Sequence, residues 1–410
     1  MKNTELIKKL IKQETERQKS GLVMIASENY CPKDILAAVG SALSNKYSEG
    51  YPGKRYYSGN QFIDQIEVLA QKSCLKMFSL NEADWSANVQ PHSGSSANLG
   101  AYLGLLKPGD KILAMDLAHG GHLTHGSPVN FSGKLFTFVH YGVDPKTELL
   151  DYGQIEKIAK KEKPKMIVCG ATAYSRTIDF AKFGQIAKKC NSLLLADISH
   201  VTGLIVAGVH PSPFPFADVV TSTTHKTLGG PRSAFIICRQ ALAKEINKAI
   251  FPGLQGGPLE NIVAGKALCF ERAMTAEFKK IQQQTIKNAA VLANELTKRG
   301  YRLVAGGTDN HLLLLDLRPQ KINGKQAADA LANAEIYTNA NMIPYDPASP
   351  LLPSGLRLGT AALSTRGLRE KDMKAIAELI DRVLSNFGSR RIELQVATEV
   401  KKLTKKFPIY

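Results

Sequence analysis

The sequence has no long apolar stretch. Its longest apolar runs, such as residues 312–315, have the length of a strand, whereas a membrane-spanning helix needs about eighteen consecutive apolar residues. The N-terminus is charged from Lys2 onward and has no apolar signal core. We therefore expect no membrane span, no secretion, and a cytoplasmic location.

Cysteine is sparse and unpatterned. The six cysteines lie far apart, without a CxxC pair and without a neighbouring histidine cluster: Cys31, Cys74, Cys169, Cys190, Cys238 and Cys269. This spacing argues against a disulfide framework and against a zinc site. We expect free thiols in a reducing compartment and no bound metal.

Acidic residues are outnumbered, 36 against 53 lysines and arginines, so the formal net charge is +17. A basic balance can indicate nucleic-acid binding. Here the basic residues are dispersed, mostly at helix-face spacing, and no known binding module is present. A solvated basic surface is the favoured interpretation, ahead of attraction for anionic small molecules and of nucleic-acid recognition.

The chain of 410 residues is long enough for two domains. Residues 3–19 carry an apolar stripe typical of an amphipathic packing helix. Short apolar runs then alternate with helical stretches from about residue 85 to 240: KILAMD, KLFTFVHY, KMIVCGA, SLLLADIS, ADVVTSTT and SAFIICR. Such alternation predicts an α/β fold, with a mostly parallel sheet and helices on both faces.

After FPGLQGGP (251–258) the pattern changes. A helical segment over 259–299 leads into short strands, followed by helical stretches around 325–334 and 370–387. We predict an N-terminal arm over residues 1–20, a large domain over 21–273 and a smaller α+β domain over 274–410. No internal repeats or low-complexity tracts occur.

Two polar residues follow buried-looking strands, where ligands gather in open α/β sheets. Asp197 ends the run 193–196, and Lys226 follows the next strand, before a glycine-rich turn. Such a pair suits a cofactor that acts as an electron sink, because lysine can form a Schiff base while aspartate keeps a ring nitrogen protonated. Taken singly, a capping aspartate and a solvated lysine are the commoner cases.

Three further residues or segments fit the same site. HSGSSAN (92–98) places hydroxyl groups and Gly94 at a helix start, where backbone N–H groups bind phosphate. His122, in AHGGHLTHG, offers a flat ring for stacking. Arg357, in PSGLRLGT, can hold a carboxylate through two hydrogen bonds. The alternatives for these three are a helix cap, a core or metal-binding histidine, and a surface ion pair.

Long motifs then carry a resemblance to the serine hydroxymethyltransferase family from about residue 20 to 388. They are ASENY (26–30), YSEGYPGKRYY (47–57), ANVQPHSGSSAN (87–98), DLAHGGHLTHGSPVNFSGK (116–134), TTHKTLGGPR (223–232), FPGLQGGP (251–258), GGTDNHL (306–312) and SGLRLGT (354–360). The resemblance implies a fold-type I pyridoxal-phosphate transferase with a seven-stranded, mostly parallel sheet. It also implies a homodimer with shared active sites.

The resemblance further implies roles for single residues. Lys226 would carry the cofactor, Asp197 its ring nitrogen, and His122 the stacked ring. Phosphate-side ligands would be Ser93, Gly94, Ser95, Thr223 and His225, with Tyr47, Gly256 and Gly257 from across the interface. Thr172 and His200 would contact the cofactor's phenolic oxygen and the substrate, with Arg232 supporting the neighbourhood of the lysine. Ser27, Tyr57 and Arg357 would bind serine, Glu49 would be the acid/base, and Tyr56, Leu117, Leu123 and Asn341 would contact tetrahydrofolate.

The implied reaction transfers the hydroxymethyl carbon of serine to tetrahydrofolate and releases glycine. The main alternative is a folate-independent aldolase for 3-hydroxy amino acids on the same scaffold. Retention of the acid/base and of the folate-contacting residues argues against that alternative. A nucleic-acid-binding protein, indicated by charge alone, is disfavoured as the primary role.

Overall fold

The computed structural model describes residues 2–410. The described α-helices are α1 (Lys2–Ser20), α2 (Lys33–Val39), α3 (Gln61–Lys76), α4 (Gly94–Leu105), α5 (Phe131–Leu135), α6 (Tyr152–Glu162), α7 (Phe180–Cys190), α8 (Thr202–Val206), α9 (Ala243–Lys248), α10 (Glu260–Ala273), α11 (Ala276–Lys298), α12 (Gly324–Asn333), α13 (Ala361–Thr365), α14 (Glu370–Ser385) and α15 (Arg390–Thr404). No helix within this range is both long and apolar enough to cross a membrane.

The strands are much shorter than the longer helices, and most of their residues are buried. They are β1 (Leu22–Val23), β2 (Gly50–Tyr51), β3 (Lys54–Arg55), β4 (Trp85–Asn88), β5 (Lys111–Met115), β6 (Thr137–Tyr141), β7 (Met166–Cys169), β8 (Leu193–Asp197), β9 (Val219–Thr223), β10 (Ala234–Arg239), β11 (Arg302–Leu303), β12 (Leu312–Asp316), β13 (Ile336–Tyr337), β14 (Asn339–Asn341) and β15 (Gly355–Gly359). Contacts divide the chain into two compact units.

The larger unit, Cys31–Gln283, contains a seven-stranded sheet in the order β4-β10-β9-β8-β7-β5-β6. The five strands from β9 to β6 are parallel, and β10 runs antiparallel to both β9 and β4. This confirms the predicted mostly parallel sheet. Six of the seven strands lie in the predicted apolar runs, and the carboxyl ends of the parallel strands meet at one edge.

Helices cover both faces of this sheet because the strands are apolar on both sides. Along β5, Leu113 and Met115 join one apolar cluster, whereas Ile112 and Ala114 join another. The first cluster includes residues of α3, α6, α7 and α10, and the second includes residues of α4 and α9. The alternation of side chains along a strand produces this two-sided core.

The smaller unit combines the residues up to Tyr30 with Gln284–Tyr410. Its antiparallel sheet has the order β11-β12-β15-β14, and β1 pairs in parallel with β13. This division differs from the predicted domains at 1–20, 21–273 and 274–410. The reason is a long-range contact, since pairing of Leu22 with Ile336 ties the N-terminal segment to the C-terminal part.

The predicted helical segment over 259–299 is two helices, α10 and α11. The break falls at Met274–Thr275, where the Thr275 hydroxyl accepts a hydrogen bond from the backbone N–H of Phe278 at 3.2 Å. Such a bond satisfies one of the free donors at a helix start. The predicted stretches 325–334 and 370–387 correspond to α12 and α14.

Candidate active site

The carboxylate of Asp197, at the carboxyl end of β8, is enclosed by hydrogen-bond donors. Asn98 Nδ2 lies 2.9 Å and His125 Nε2 3.3 Å from its Oδ2. The hydroxyl of Ser199 donates to Oδ1 at 2.6 Å. Burial alone would raise the pKa of Asp197, but its partners, His125 above all, hold that pKa well below its usual range. Asp197 is therefore ionised, as a partner for a cationic ring nitrogen must be.

A chain of hydrogen bonds connects His122 to this carboxylate. His122 Nδ1 and the hydroxyl of Thr124 are 2.7 Å apart. Asn98 Nδ2 donates to the same hydroxyl at 2.8 Å and, as above, to Asp197. The Asn98 carbonyl oxygen in turn accepts from Thr221 at 2.6 Å. These bonds fix the orientation of the His122 ring relative to Asp197.

Helix α4 begins close to the carboxyl end of β9. Ser93 caps the helix, its hydroxyl accepting from the backbone N–H of Ser96 at 3.3 Å. A Cβ at Gly94 would lie 2.7 Å from Thr223 Cγ2, so only glycine permits this approach without displacement. The first turn of α4, which includes Ser95, thus presents free N–H groups beside β9, an arrangement that binds phosphate.

Lys226 is buried, with 8% of its surface exposed, in the turn that follows β9. The turn is closed by the backbone N–H of Gly229, which donates to the Lys226 carbonyl at 3.0 Å. The preceding residue, His225, has a buried Nδ1 without a hydrogen-bond partner among the described residues. Burial, with the charges of Arg232 and Lys226, lowers the pKa of His225 to about 3. His225 is therefore neutral at physiological pH.

Two other predicted residues lie on loops at the same edge of the sheet. Thr172 follows β7, and its N–H donates to Gly120 at 2.7 Å. Two residues before Thr172, a Cβ at Gly170 would lie 2.1 Å from the Asp197 carbonyl oxygen. The ends of β7 and β8 therefore pack closely. His200 is buried, and its carbonyl oxygen accepts from the Thr227 hydroxyl at 2.9 Å.

These groups fit pyridoxal phosphate. An ionised carboxylate suits the ring nitrogen, and the start of α4 suits the phosphate. Buried Lys226 supplies the amine, and the unpartnered Nδ1 of His225 is a polar atom that a bound group could satisfy. The close approach of Gly94 to Thr223 keeps the first turn of α4 beside the end of β9.

A second group in the larger unit surrounds Glu49. The hydroxyl of Tyr47 lies 3.5 Å from Glu49 Oε1, and the rings of Tyr47 and Tyr57 meet edge to face at 5.2 Å. The Glu49 charge is the main cause that raises the pKa of Tyr57. A Cβ at Gly256 would lie 3.1 Å from Glu49 Oε1, and one at Gly257 would lie 3.5 Å from the Tyr47 ring.

The smaller unit holds the predicted residues for the substrate carboxylate. Arg357, on β15, is 6% exposed, and its Nε donates to Asn339 Oδ1 at 3.1 Å. Burial lowers the pKa of Arg357 to about 10, so the guanidinium stays charged at neutral pH. Ser27 is half-buried and follows Ala26, which packs against Gly359 at the end of β15.

The predicted folate residues lie on exposed surfaces of both units. In the larger unit, Tyr56, Leu117 and Leu123 are 74%, 45% and 47% exposed. In the smaller unit, Asn341 is half-buried on β14, and its Nδ2 donates to the carbonyl of Met342 at 2.7 Å. Arg232, which was predicted to support the neighbourhood of Lys226, is exposed.

Sequence reasoning did not single out Asn98, His125 and Ser199, which provide the donors around Asp197. All three lie within segments that it did single out, HSGSSAN, AHGGHLTHG and SLLLADIS. The available signal for these donors was the presence of hydrogen-bonding residue types in those segments. Among the described residues, no cluster of three histidine, cysteine or carboxylate groups could hold a metal ion.

Comparisons with known proteins agree with this geometry. The family model for serine hydroxymethyltransferase matches residues 1–380. A serine hydroxymethyltransferase of Methanosarcina barkeri (strain Fusaro / DSM 804) is 53% identical over 401 residues, which cover 98% of this chain and 96% of the relative. One of Myxococcus xanthus (strain DK1622) is 50% identical over 404 residues, with the same coverage. The chain belongs to the serine hydroxymethyltransferase family, whose members depend on pyridoxal phosphate and use tetrahydrofolate as co-substrate.

Proposed function

We propose that this protein catalyses the reversible transfer of the hydroxymethyl carbon of serine to tetrahydrofolate, giving glycine and 5,10-methylenetetrahydrofolate. Family membership across nearly the whole chain supports the reaction. One observation carries the proposal: buried Lys226 and ionised Asp197 lie at the same edge of the sheet. Asp197 is ionised because its hydrogen-bond donors lower its pKa. The folate-independent aldolase is not favoured by the relatives.

Pyridoxal phosphate, when bound, supplies an electron sink for the bond broken at the serine Cα. Lys226 would hold it covalently, and Asp197 would keep its ring nitrogen protonated. Ser93, Gly94 and Ser95 would bind its phosphate through the start of α4. The remaining cofactor contacts that we propose are those of His122, Thr172, His200, Thr223 and His225.

The chain's other residues orient serine and move protons. Arg357 would bind the serine carboxylate through a bidentate pair, with Ser27 beside it. Glu49 would exchange a proton with the serine hydroxyl, and Tyr57 would line the pocket. Tyr56, Leu117, Leu123 and Asn341 would contact the folate. The exposure of Tyr56, Leu117 and Leu123 in the described chain supports a role in binding a large co-substrate at the surface.

We also propose a homodimer in the cytoplasm, in which Tyr47, Gly256 and Gly257 of one subunit complete the phosphate side of the other's site. The N-terminal helix supports an assembly, because four apolar side chains on it are more than half exposed: Leu6, Ile7, Leu10 and Ile11. Light scattering coupled to size exclusion tests it. A monomer at micromolar concentration would contradict the proposed homodimer.

Serine cleavage measured with and without tetrahydrofolate tests the reaction. We expect cleavage to require or be strongly accelerated by tetrahydrofolate, with glycine and methylenetetrahydrofolate formed in equal amounts. Cleavage at the same rate without folate would assign the protein to the aldolases instead. L-threonine and L-allo-threonine, tested in parallel without folate, serve as the matched substrates for that alternative.

A further inference from the structure

Glu260 is a buried carboxyl group outside the residues considered so far. It is the first residue of α10 and is 1% exposed. Its Oε1 accepts a hydrogen bond of 2.5 Å from the hydroxyl of Ser48, while Oε2 has no partner among the described residues. Burying a carboxyl with a single partner costs free energy that an apolar side chain at the same place would avoid. The position therefore calls for a functional explanation.

Ser48 immediately precedes Glu49, the proposed acid/base. The backbone on both sides of Glu49 is held by Arg55, whose Nη1 donates to the carbonyl oxygens of Ser48 and Gly50, each at 2.8 Å. The Glu49 carbonyl itself accepts from the N–H of Tyr56 at 3.1 Å. Glu260 adds the remaining restraint, because it fixes the side chain of Ser48. Glu49 thus projects from a backbone that is anchored on either side.

Glu260 also comes shortly after, in sequence, the two glycines that face the Glu49 group. It follows Gly256 and Gly257 in the chain, and a Cβ at Gly256 would lie 3.1 Å from Glu49 Oε1. The bond from Ser48 to Glu260 therefore ties the segment of Glu49 to the segment of the two glycines. A shift of Ser48 would change both the position of Glu49 and its distance from Gly256.

Burial and the neighbouring charges together set the protonation of Glu260. The groups that face it come from three elements: Arg55 of β3, Glu67 of α3 and Lys266 of α10 itself. Arg55 is bound to Glu67 at 2.7 Å and to Asp64 at 2.9 Å, so its charge is already compensated. Burial is the main cause that raises the pKa of Glu260 to about 7, against the Ser48 hydrogen bond. A proton on Glu260 avoids a second buried carboxylate beside Glu67.

We propose that Glu260, in its neutral form, is a positioning residue. It holds the side chain of Ser48 and thereby fixes Glu49 for proton exchange with the hydroxyl of the substrate serine. This inference rests on the proposed function. Ionisation of Glu260 adds a buried carboxylate beside Glu67 and changes the charge beneath the Glu49 segment. The rate of the reaction then depends on the protonation of a group that never touches serine.

Three variants test the positioning role: Glu260→Gln, Glu260→Leu and Ser48→Ala. We expect Glu260→Gln, which keeps an acceptor for Ser48, to retain kcat within about twofold at pH 7 and to lose a limb of the kcat–pH profile near neutrality. Glu260→Leu and Ser48→Ala each lower kcat by about tenfold, with KM for serine and cofactor affinity unchanged. The double variant Glu260→Leu/Ser48→Ala is no worse than either single one, because both remove one bond.

Glu271 provides the matched control, since it lies on the same helix and accepts a 2.5 Å hydrogen bond from Ser73 of α3. Glu271→Leu removes a similar bond without touching the Glu49 segment and leaves kcat unchanged. Wild-type kcat in Glu260→Leu or Ser48→Ala would overturn the proposal. Equal losses in Glu271→Leu would do the same, because the effect would then belong to α10 as a whole.

Unfolding of the purified protein in urea separates this inference from the reaction. The folded protein keeps a proton on Glu260 up to a pKa of about 7, whereas the unfolded chain loses it near the ordinary value of 4.5. Wild-type stability relative to Glu260→Gln therefore falls as pH rises between these values. Absent folate-dependent cleavage in the wild type would refute the proposed function, while leaving this measurement valid. If the stability of the wild type and that of Glu260→Gln change in the same way with pH, the proposal that Glu260 is neutral is wrong.

Discussion

The amide of Asn98, on α4, donates a 2.9 Å hydrogen bond to the carboxylate of Asp197, at the end of β8. The same amide nitrogen bonds Thr124, which contacts His122. One side chain thus couples the carboxylate for the ring nitrogen to the residue proposed to stack on the ring. Asp197 and His122 are held in one arrangement before any ligand binds.

Replacing Asn98 tests this coupling. Asn98→Ala leaves Asp197, Thr124 and Thr221 each short of a buried partner, which costs about 1–3 kcal/mol for a buried polar group. We expect the dissociation constant for pyridoxal phosphate to rise by about tenfold or more. Titration of the cofactor-free protein by absorbance measures it, with exposed Asn45→Ala as control. Unchanged affinity in Asn98→Ala would show that Asp197 is held by His125 and Ser199 alone.

Lys226→Ala tests the covalent attachment of the cofactor. The variant lacks the only amine that we assign to this role, so we expect the visible absorbance of the bound cofactor to disappear and serine cleavage to fall by at least about a thousandfold. Exposed Lys244→Ala is the control and keeps both signals. Retained absorbance together with retained activity would remove Lys226 from the mechanism.

The close approach of α4 to β9 predicts a specific suppressor. In Gly94→Ala the new Cβ meets Thr223 Cγ2 at 2.7 Å, so the start of the helix must move and cofactor affinity drops by about tenfold. Thr223→Ser removes that methyl group and keeps the hydroxyl. The double variant Gly94→Ala/Thr223→Ser therefore binds pyridoxal phosphate better than Gly94→Ala does. If Thr223→Ser gives no recovery, the contact with Thr223 is not what requires glycine.

His225 makes stability depend on pH in the acid range. Its folded pKa is about 3 and its ordinary value is 6.5, so between these values the unfolded chain binds a proton that the folded protein does not. Stability consequently falls as pH decreases through this window, by up to about 1.4 kcal/mol for each pH unit. Urea unfolding of the cofactor-free protein from pH 7 to 4 measures the slope. In His225→Asn the slope is shallower, and identical slopes would contradict a buried neutral His225.

The strands were predictable where burial on both faces imposes a continuous apolar run, as in β8, LLLAD. Strand β4, WSAN, was not among the predicted runs, because it is short and half polar. Its pairing with β10 at the sheet edge makes it a strand. Tertiary pairing overrides a weak local pattern of this kind.

The site was predictable only in part for a related reason. Lys226 and Asp197 stand out because charged residues directly after buried strands are unusual. The bond from Asn98 to Asp197 joins residues far apart in the chain, and no spacing rule connects them. The same holds for Glu260 and Ser48, whose contact arises when the start of α10 meets the segment before β2.

The pairing of β1 with β13 has a consequence for the order in which the chain folds during synthesis. Leu22 is synthesised long before its partner Ile336. The contiguous unit Cys31–Gln283 can fold as soon as it is complete, whereas the unit that contains β1 must wait for residues beyond Gln284. Until then β1 lacks the strand with which it pairs.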